Sequence, residues 1–278
     1  LAAPAQAGKT VDAIKARGQV VCGVNTGLAG FAAADSSGKW SGLDIDVCKA
    51  LAAATLGDAE KVKYVPLNAQ QRFTALQSGE VDVLARNTTF TLTRDASLGL
   101  SATVVNYYDG QGFMVKKDLG VSSAKELDGA TVCLQTGTTT ELNLADFFKA
   151  NGMTYEPVPL KDNAEAEQQY SSGACDVYTT DASGLAATRA TFADASEHVL
   201  LPEIVSKEPL ALVVRHGDNQ FADIVRWSLY AMIEAEEYGI TSRNVDEALK
   251  SDNPTLKRLL GVTPGMGKAL GVDEKWVY

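Results

Sequence analysis

The segment RNTTFTLTRDAS, residues 86–97, carries groups suited to binding an anion. Its hydroxyl residues alternate with Phe90 and Leu92, and an arginine stands near each end. A period of two predicts a β-strand that presents its threonines on one face: Thr89, Thr91 and Thr93. We therefore expect a strand that offers a row of hydroxyl groups to a ligand.

Arg94 follows this row of threonines. Its guanidinium has a planar fork of donors that matches a carboxylate bidentately. Asn87 and Thr89 face the same direction on the predicted strand and would add an amide and a hydroxyl. The alternative role for Arg94 is a surface salt bridge with Asp95.

Asp181 offers the complementary chemistry. It ends the predicted strand in CDVYTTD, and a carboxylate at a strand end can bind an ammonium group. The alternative is an N-cap for the helix that follows. Both roles are compatible, because the two oxygens of a carboxylate accept several hydrogen bonds.

The segment QTGTTTE, residues 135–141, lies between a predicted strand and a helix expected to begin near Leu142. Free backbone N–H groups at a helix start favour an anion, so Thr138 and Thr139 are candidate ligand contacts. Thr138 and Glu141 also have the spacing of a capping box. The Gly-Lys-Ser/Thr of a P-loop is missing here, which argues against nucleotide binding.

Arg72 lies on the helix that precedes the threonine-rich segment, where it is either solvated or a second cation beside Arg94. Asp44 and Asp46 are read as helix caps. The two histidines, His198 and His216, are expected in polar loops without a nucleophile motif. No residue cluster has metal-ligand spacing, so we predict neither a metal, a cofactor nor catalysis.

Two segments repeat one pattern. Residues 76–89 and 169–183 share Ser-Gly-x-x-Asp-Val followed by polar residues, and each follows a helical stretch. A helix, a glycine in a left-handed C-cap and a short strand indicate a βαβ unit in duplicate. Ligands bind at the carboxyl ends of the strands in open α/β sheets, so two such ends facing each other predict a cleft.

The repeat predicts an α/β fold of two lobes, in which the second is inserted into the first. We place lobe 1 at residues 1–110 plus 211–278 and lobe 2 at 111–210, with hinge strands near 109–113 and 207–211. A chain of 278 residues also fits two domains better than one. From Gln220 the periodicity predicts a helix with one apolar face: Phe221, Ile224, Val225, Leu229, Met232 and Ile233.

The charge and the N-terminal sequence bear on partners and location. A formal net charge of -10 opposes binding to nucleic acid or to an anionic membrane. No apolar run approaches the roughly 20 residues that span a bilayer. Ala5-Gln6-Ala7 fits the cleavage site of a secretory signal and predicts an exported, processed protein; the alternative is a merely Ala-rich terminus.

The cysteines are Cys22, Cys48, Cys133 and Cys175, which allow three disulfide pairings. Export favours two disulfides, whereas in a cytosolic protein the four would be small buried hydrophobic residues. The repeat favours Cys22 with Cys48 and Cys133 with Cys175, because each pair stays within one lobe. Either other pairing would tie the lobes together and restrict a hinge.

Together these motifs resemble the periplasmic polar amino-acid binding proteins of ABC importers, solute-binding protein family 3. The resemblance covers nearly the whole chain and is closest to the general L-amino-acid and glutamate/glutamine/aspartate/asparagine receptors. It rests on motifs distributed along both lobes: GLDIDVCKALAAATLGD, TFTLTR, YYDGQGFMV, QTGTTTELNL and CDVYTTDASGLAA. The family implies a type II, Venus-flytrap fold that closes around an amino acid.

The resemblance implies a role for each site residue. Arg94 would bind the α-carboxylate with Thr89 and the backbone at Asn87 and Thr139, and Asp181 would bind the α-ammonium. Arg72 corresponds to an arginine that contacts the side-chain carboxylate in acidic-amino-acid receptors. Asn25 and Asn163 stand where those receptors have a cationic residue and a histidine, and Phe31 is a candidate aromatic contact.

The resemblance therefore implies a monomeric, non-catalytic periplasmic receptor that delivers an L-amino acid to the permease subunits of an ABC importer. Two alternatives use the same fold. One is a ligand-binding sensory module. The other is a dehydratase-like enzyme, which would need a general acid or base with a tuned pKa in the cleft.

Overall fold

The computed structural model describes residues 8–278. The fold is α/β, as predicted, and its strands are β1 Val20–Asn25, β2 Ala33–Ala34, β3 Trp40–Ser41, β4 Val62–Leu67, β5 Val83–Thr89, β6 Leu100–Asp109, β7 Gln111–Lys116, β8 Ala130–Gln135, β9 Tyr155–Leu160, β10 Val177–Asp181, β11 His198–Leu200 and β12 Glu208–Arg215. The helices are α1 Lys9–Arg17, α2 Leu43–Leu56, α3 Arg72–Ser78, α4 Leu92–Ser97, α5 Thr139–Ala150, α6 Asn163–Ser171, α7 Ala182–Thr191, α8 Asn219–Glu237, α9 Val245–Ala248, α10 Pro254–Leu259 and α11 Met266–Leu270.

The first of two five-stranded sheets has the order β4-β1-β5-β12-β6. Strands β1, β4 and β5 run parallel, and β12 runs antiparallel to β5 and β6. Helices α2 and α8 cover this sheet with a shared apolar core that includes Leu51, Phe221 and Val225. This sheet therefore combines segments from before and after the second sheet in the chain.

The second sheet has the order β11-β7-β10-β8-β9. Strands β8, β9 and β10 run parallel, while β7 runs antiparallel to β10 and β11. The two sheets thus repeat one plan of parallel strands joined through helices. The predicted duplication is confirmed: β4-α3-β5 and β9-α6-β10 are the two βαβ units.

The glycines of the repeat have the predicted conformation. Gly79 is the C-cap of α3 with φ 82°, and Gly173 follows α6 with φ 82°. A left-handed backbone is strained for residues with a Cβ atom, so glycine stops each helix and lets the next strand begin at once.

The chain crosses between the sheets twice. It leaves β6 through Gly110 and returns through residues 201–207 into β12. The crossings touch each other, since a Cβ atom on Gly110 would lie only 2.3 Å from Cγ2 of Ile204. Strand register places the last residues of β5 and β10 next to these crossings. Thr89, at the end of β5, pairs with Leu210 near the start of β12, and Asp181, at the end of β10, pairs with Gln111 at the start of β7. The carboxyl ends of β5 and β10 consequently lie beside the crossings.

Both predicted disulfides are present. Cys22 is bonded to Cys48 with a Cα–Cα distance of 6.3 Å, and Cys133 is bonded to Cys175 with a Cα–Cα distance of 5.7 Å. The first bond joins β1 to α2, and the second joins β8 to the loop between α6 and β10, so neither links the two lobes.

The predicted strand across residues 86–97 is wrong in its second half. Strand β5 ends at Thr89, and Thr91 is the N-cap of α4, where its hydroxyl accepts a hydrogen bond from the Arg94 N–H at 3.3 Å. Threonine forms strands and caps helices equally readily, so the period of two was misleading. Leu92 lies in α4 and is 82% exposed.

The expected caps also differ from the structure. Helix α5 begins at Thr139 rather than near Leu142, and the Thr138 hydroxyl donates to the Gln135 carbonyl instead of capping the helix. Glu141 still reaches back, but it accepts from the Gly137 N–H at 2.8 Å. A hydrogen bond to the end of β8 competes successfully with the predicted capping box.

Two acidic residues and a histidine also differ from the predictions. Gly42 occupies the N-cap position of α2, so neither Asp44 nor Asp46 caps this helix; Asp44 is instead buried and accepts from the Asn87 N–H of β5. His198 is not in a loop but starts β11, where its ring is buried against Tyr170 at a hydrogen-bond distance of 2.9 Å. The apolar face predicted for α8 is buried as far as Leu229, but Ile233 is 51% exposed.

The described part of the chain contains no helix long and apolar enough to cross a membrane. Residues 8–278 also contain no group of three or more potential metal ligands. The predicted cleavage site at Ala5-Gln6-Ala7 lies outside the described residues.

Candidate functional site

A small cavity lies between the two sheets, at the carboxyl ends of strands from both. Both sheets contribute to its lining, which consists of Arg72, Arg86, Asn87, Thr89, Gln135, Thr138, Thr139, Thr140, Thr180 and Asp181. Its volume is about 20 Å³, which is room for about one water molecule. A larger molecule could reach these residues only if the lobes moved apart.

Asp181 supplies the acid of the cavity. It occupies the N-cap position of α7, yet its side chain makes no capping hydrogen bond, so the alternative role is not seen. Burial, with Asp109 and Glu208 nearby, raises the pKa of the Asp181 carboxyl to about 7, despite the opposing effects of Asn87 and Arg72. An ammonium group placed against this carboxyl would stabilise its charged form.

Asn87 connects the two sheets across the cavity. Its Nδ2 donates to Oδ2 of Asp181 at 3.4 Å, while its Oδ1 accepts from Nδ2 of Asn25 at 2.9 Å. Its backbone N–H donates to Asp44 at 3.2 Å. Asn87 also has φ 34°, a left-handed conformation that is strained for a residue other than glycine. Such strain is typical of sites where the surrounding contacts fix a functional residue.

Arg72 is not solvated, because its side chain is only 2% exposed. Its Nη1 donates to the Thr88 hydroxyl at 3.2 Å, and its Nε has no hydrogen-bond partner among residues 8–278. Burial, followed by the like charges of Arg86 and Arg94, lowers the pKa of Arg72 well below its usual value. Of the two roles considered, the structure therefore excludes the solvated one.

Arg86 is a cavity residue that sequence reasoning missed. It is 1% exposed, its Nε donates to the Leu67 carbonyl at 2.9 Å, and its Nη1 donates to Oδ1 of Asn87 at 3.1 Å. Burial lowers its pKa to about 10. The signal was an arginine directly after the apolar run 83–85 of a buried strand, since such a position is rare for an unpaired charge.

Arg94 lies next to the cavity rather than in its lining. Its Nη1 donates to the Thr89 carbonyl at 2.9 Å, and burial lowers the pKa of its guanidinium, although Glu208 and Asp181 act in the opposite direction. The ring of Phe73 lies 5.2 Å from the Arg94 guanidinium carbon and 4.8 Å from that of Arg72. These distances are typical of cation–π contacts, so one ring orients two cations. The alternative role, a salt bridge with Asp95, is not among the ion pairs of the described residues.

Glu208 is a buried acid whose role the sequence did not reveal. Its Oε2 accepts hydrogen bonds from the hydroxyls of Thr89 and Thr139, at 2.5 and 2.8 Å. Its Oε1 accepts from Asn143 at 2.7 Å and from Ser206 at 2.6 Å. A hydroxyl has a single proton, so neither threonine can donate to a ligand carboxylate while it donates to Glu208.

The remaining candidate residues lie farther from the cavity. Of the residues that the structure describes, Asn25, Phe31 and Asn163 do not line it. Asn25 supports Asn87, and the ring of Phe31 packs edge-on against Tyr107 with centroids 5.2 Å apart. Asn163 is buried at the first position of α6. These three residues are therefore placed around the site rather than in it.

The charges of the site are separated by lobe. Arg72, Arg86 and Arg94 belong to elements of the first sheet, whereas Asp181 ends a strand of the second. Between the arginines and Asp181 lie threonine hydroxyls and the start of α5. The first N–H groups of a helix have no partner within it. This arrangement complements a small molecule that carries a negative and a positive group at opposite ends.

The fold and the site fit a known family of binding proteins. The sequence profile of the bacterial extracellular solute-binding proteins, family 3, matches residues 20–244. The chain belongs to this family. The glutamate/glutamine/aspartate/asparagine-binding protein BztA of Rhodobacter capsulatus is a family 3 relative that is 64% identical over 275 residues, which are 99% of this chain and 81% of that protein. The general L-amino acid-binding periplasmic protein AapJ of Rhizobium johnstonii is 56% identical over 276 residues, which are 99% of this chain and 81% of that protein.

Solved structures confirm the two-lobe fold of this family 3 protein. An ABC transporter periplasmic binding protein from Brucella ovis with glutathione bound has a TM-score of 0.93 and is 56% identical, covering 96% of this chain and 85% of that one. The ancestral amino acid-binding protein AncCDT-1, a precursor of cyclohexadienyl dehydratase, has a TM-score of 0.71 and is 29% identical, covering 83% of this chain and 96% of that one. The chain is thus similar over nearly its whole length to proteins that bind small solutes.

Proposed function

We propose that this family 3 protein is a periplasmic receptor that captures an L-amino acid between its lobes and delivers it to an ABC importer. The observation that carries the proposal is the cavity between the two sheets, with arginines on one side and Asp181 on the other. The names of BztA and AapJ support amino acids as the ligand class, and glutathione, bound by the Brucella protein, itself carries a free α-amino acid group.

The α-groups of the ligand bind at opposite lobes in this proposal. Arg94 and the N–H groups near Asn87 and at the start of α5 bind the α-carboxylate, while Asp181 binds the α-ammonium. The α-carboxylate of the ligand replaces Glu208 as the acceptor of the hydrogen bonds from the hydroxyls of Thr89 and Thr139. Thr138 adds a contact at the start of α5. Burying a zwitterion is favourable only when each charge is paired and hydrogen-bonded, which makes such a site selective.

Residues around the α-group site distinguish side chains in this proposal. Arg72 contacts a polar or acidic side chain, and Asn25, Asn163 and Phe31 shape the surroundings. The lobes comprise residues 1–110 plus 211–278 and residues 111–210, and they close by bending near 109–113 and 207–211. Closure buries the ligand, and the closed surface is what permease subunits recognise. The receptor acts as a monomer, without a cofactor, after export and removal of its signal peptide.

The proposal is tested by calorimetric titration of protein that has been unfolded and refolded to remove carried ligand. We expect one saturable site per chain for at least one L-amino acid, and a higher melting temperature with ligand than without. Mass spectrometry under native conditions on protein purified without unfolding identifies the natural ligand. Absence of binding to all amino acids and to glutathione would contradict the proposal.

An enzyme on the same fold has one observation in its favour. The pKa of Asp181 is raised to about 7, which suits a general acid or base. We propose that the chain nevertheless binds without turnover, because every other cavity residue is an arginine, an amide or a hydroxyl that can hold a ligand without proton transfer. Analysis of the ligand after prolonged incubation decides the point, since recovery of a converted product would establish an enzyme.

A further inference from the structure

Strand β5 leaves its regular ladder shortly before it reaches the cavity. Thr88 pairs with Ala211 and Leu84 pairs with Val213, so residues 85–87 face a single residue of β12. On the other side of β5, the ladder with β1 ends at Leu84. Such a bulge leaves backbone groups of the longer strand without ladder partners. The backbone of this segment must therefore be fixed by other groups.

Asn87 lies in this bulge and has an unusual backbone conformation. Within residues 8–278 it is the one residue other than glycine with a positive φ, which is 34°. Asparagine tolerates the left-handed region better than most residues do, but only glycine enters it without strain. The bonds of Asn87 to Asn25, Arg86 and Asp181 involve only its side chain. A different contact must hold the backbone itself.

Asp44 supplies the backbone contact from outside the cavity lining. Its Oδ2 accepts from the Asn87 N–H at 3.2 Å, while its Oδ1 accepts from Nδ2 of Asn106 at 2.9 Å. Asp44 is fully buried, and its own N–H donates to the Phe31 carbonyl at 3.0 Å. Burial raises the pKa of Asp44 to about 6, although both asparagines and Arg86 act in the opposite direction. A buried carboxylate with both oxygens engaged has a fixed direction.

We propose that Asp44 is a positioning residue for ligand binding, because it holds the backbone of Asn87 in the conformation that the cavity requires. The Asn87 amide contacts Asp181, and the strand continues to Thr89, whose carbonyl orients Arg94. A turn of the backbone at Asn87 therefore displaces groups that face both ends of the ligand. The inference rests on the proposed function, which it deepens by assigning a residue that acts on the ligand through Asn87.

The test is a double-mutant cycle between Asp44 and Asn87. Asp44→Asn keeps the shape of the side chain but turns an NH₂ group toward one of the two donors. We expect affinity to fall by about tenfold or more in the otherwise wild-type protein. In the Asn87→Gly background the left-handed conformation is free of strain, so the same substitution should lower affinity by less than about threefold.

Calorimetric titration of refolded protein measures the four affinities. The probe is whichever of L-glutamate, L-glutamine, L-aspartate and L-alanine binds the wild type most tightly. Asn87→Gly alone provides the reference for its own background, because it loses the side-chain contacts with Arg86 and Asp181. The control Asp46→Asn makes the same change of charge at an exposed position in the same turn of α2 and should retain the wild-type affinity.

Asn106→Ser provides a second test if Asp44→Asn does not fold. It removes the donor to Oδ1, leaves the charge of Asp44 in place and changes a side chain that is only partly buried. We expect about a threefold loss of affinity in the otherwise wild-type protein and a smaller loss in the Asn87→Gly background.

A purely structural role of Asp44 in the first lobe would lower affinity equally in both backgrounds. Equal losses in the variant that folds would therefore overturn the inference, and so would a wild-type affinity of Asp44→Asn. Failure of the wild-type protein to bind any amino acid would instead overturn the proposed function, so the two failures are distinguishable.

Discussion

The carboxylate of Glu208 accepts a hydrogen bond from the hydroxyl of Thr139 at 2.8 Å, and this contact joins the first sheet to the first helix of the second lobe. The same carboxylate accepts from Asn143 at 2.7 Å, one turn farther along α5. Hydrogen bonds to a buried charge contribute roughly 1.5 to 3 kcal/mol each. Glu208 is therefore positioned to hold the lobes together without a ligand.

We predict that Glu208→Gln opens the empty protein. A neutral amide has one acceptor oxygen in place of two, so the charge-assisted hydrogen bonds from Thr139 and Asn143 become weaker neutral ones, and one of them must reverse its direction. Small-angle scattering should give a larger radius of gyration for the ligand-free variant than for the ligand-free wild type, and equal values once both are saturated with ligand. Glu203→Gln is the matched control, because Glu203 accepts hydrogen bonds from Ser123 and Ala124 in its own lobe. Equal radii for the two empty proteins would show that Glu208 does not hold the lobes.

Arg94→Ala and Asp181→Ala should each lower amino-acid affinity by about tenfold or more, because each removes a charged partner of an α-group. The melting temperature of the empty protein should change little, since neither side chain forms an ion pair in the described residues. Calorimetric titration and thermal unfolding measure the two effects. Arg243→Ala, at an exposed position, is the control. A normal titration in either site variant would remove that residue from the binding site.

Arg72→Ala should reduce affinity for glutamate, aspartate, glutamine and asparagine more than for alanine and leucine. The reason is that Arg72 lines the cavity from the first lobe with an Nε that no group of the described residues satisfies, and a polar ligand side chain can accept from this donor whereas an apolar one cannot. Titration with all six amino acids measures the difference. Equal losses across the series would indicate that Arg72 supports the fold of the site and does not contact the side chain.

Affinity should fall as the pH decreases below 7. The pKa of Asp181 is raised to about 7 in the empty protein, so the acid is increasingly protonated below that pH. A protonated acid cannot pair with an ammonium, hence binding must release a proton, and affinity should drop by about tenfold between pH 8 and pH 6. Titrations across this range measure the slope.

Two variants separate the acids that titrate here. Asp181→Asn should bind weakly with little dependence on pH in this range. Asp44, whose pKa burial raises to about 6, would contribute only at the acidic end, and Asp44→Asn should keep the slope between pH 8 and pH 7. An affinity of the wild type that does not change with pH would show that Asp181 is not the ammonium partner.

Each disulfide should stabilise its lobe without affecting the other. Cys133 and Cys175 are separated by 42 residues, and closing such a loop contributes about 4 kcal/mol through the unfolded state. The double variant Cys133→Ser and Cys175→Ser should therefore unfold at lower denaturant concentration than the wild type. Denaturation followed by fluorescence measures the change, and ligand affinity below the transition should be nearly retained. An unchanged midpoint would show that the bond does not constrain the unfolded chain.

The sequence predicted those features that depend on local patterns. In residues 76–89 and 169–183 a helix ends, a strand begins and polar residues follow. Residues close together in sequence determine each of these features. Because the repeat assigns each cysteine to a lobe, it also predicted the disulfide pairing. Asp181 was recognised as a candidate because an acid at a strand end is conspicuous in sequence, and Arg72 because its helix leads into the threonine-rich segment and because of the family resemblance.

The features that the sequence misassigned depend on competition between local preferences. Thr91 suits a strand and a helix cap about equally, and in the structure β5 ends at Thr89, opposite Leu210 of β12, and Thr91 caps α4. Thr138 likewise bonds to the end of β8 instead of capping α5. Such competition is settled by neighbours that are distant in sequence.

The amino-acid sequence by itself determined the two βαβ units, the pairing of the cysteines, the arginine that follows β5 and the acid that ends β10. Only the tertiary structure decided that Arg86 lines the cavity, that Arg94 lies beside it and that Glu208 holds the hydroxyls of Thr89 and Thr139. The physical reason is that a side chain's partner is set by strand register and by the approach of the two lobes. Both depend on contacts between residues more than a hundred positions apart, as between Thr89 and Glu208.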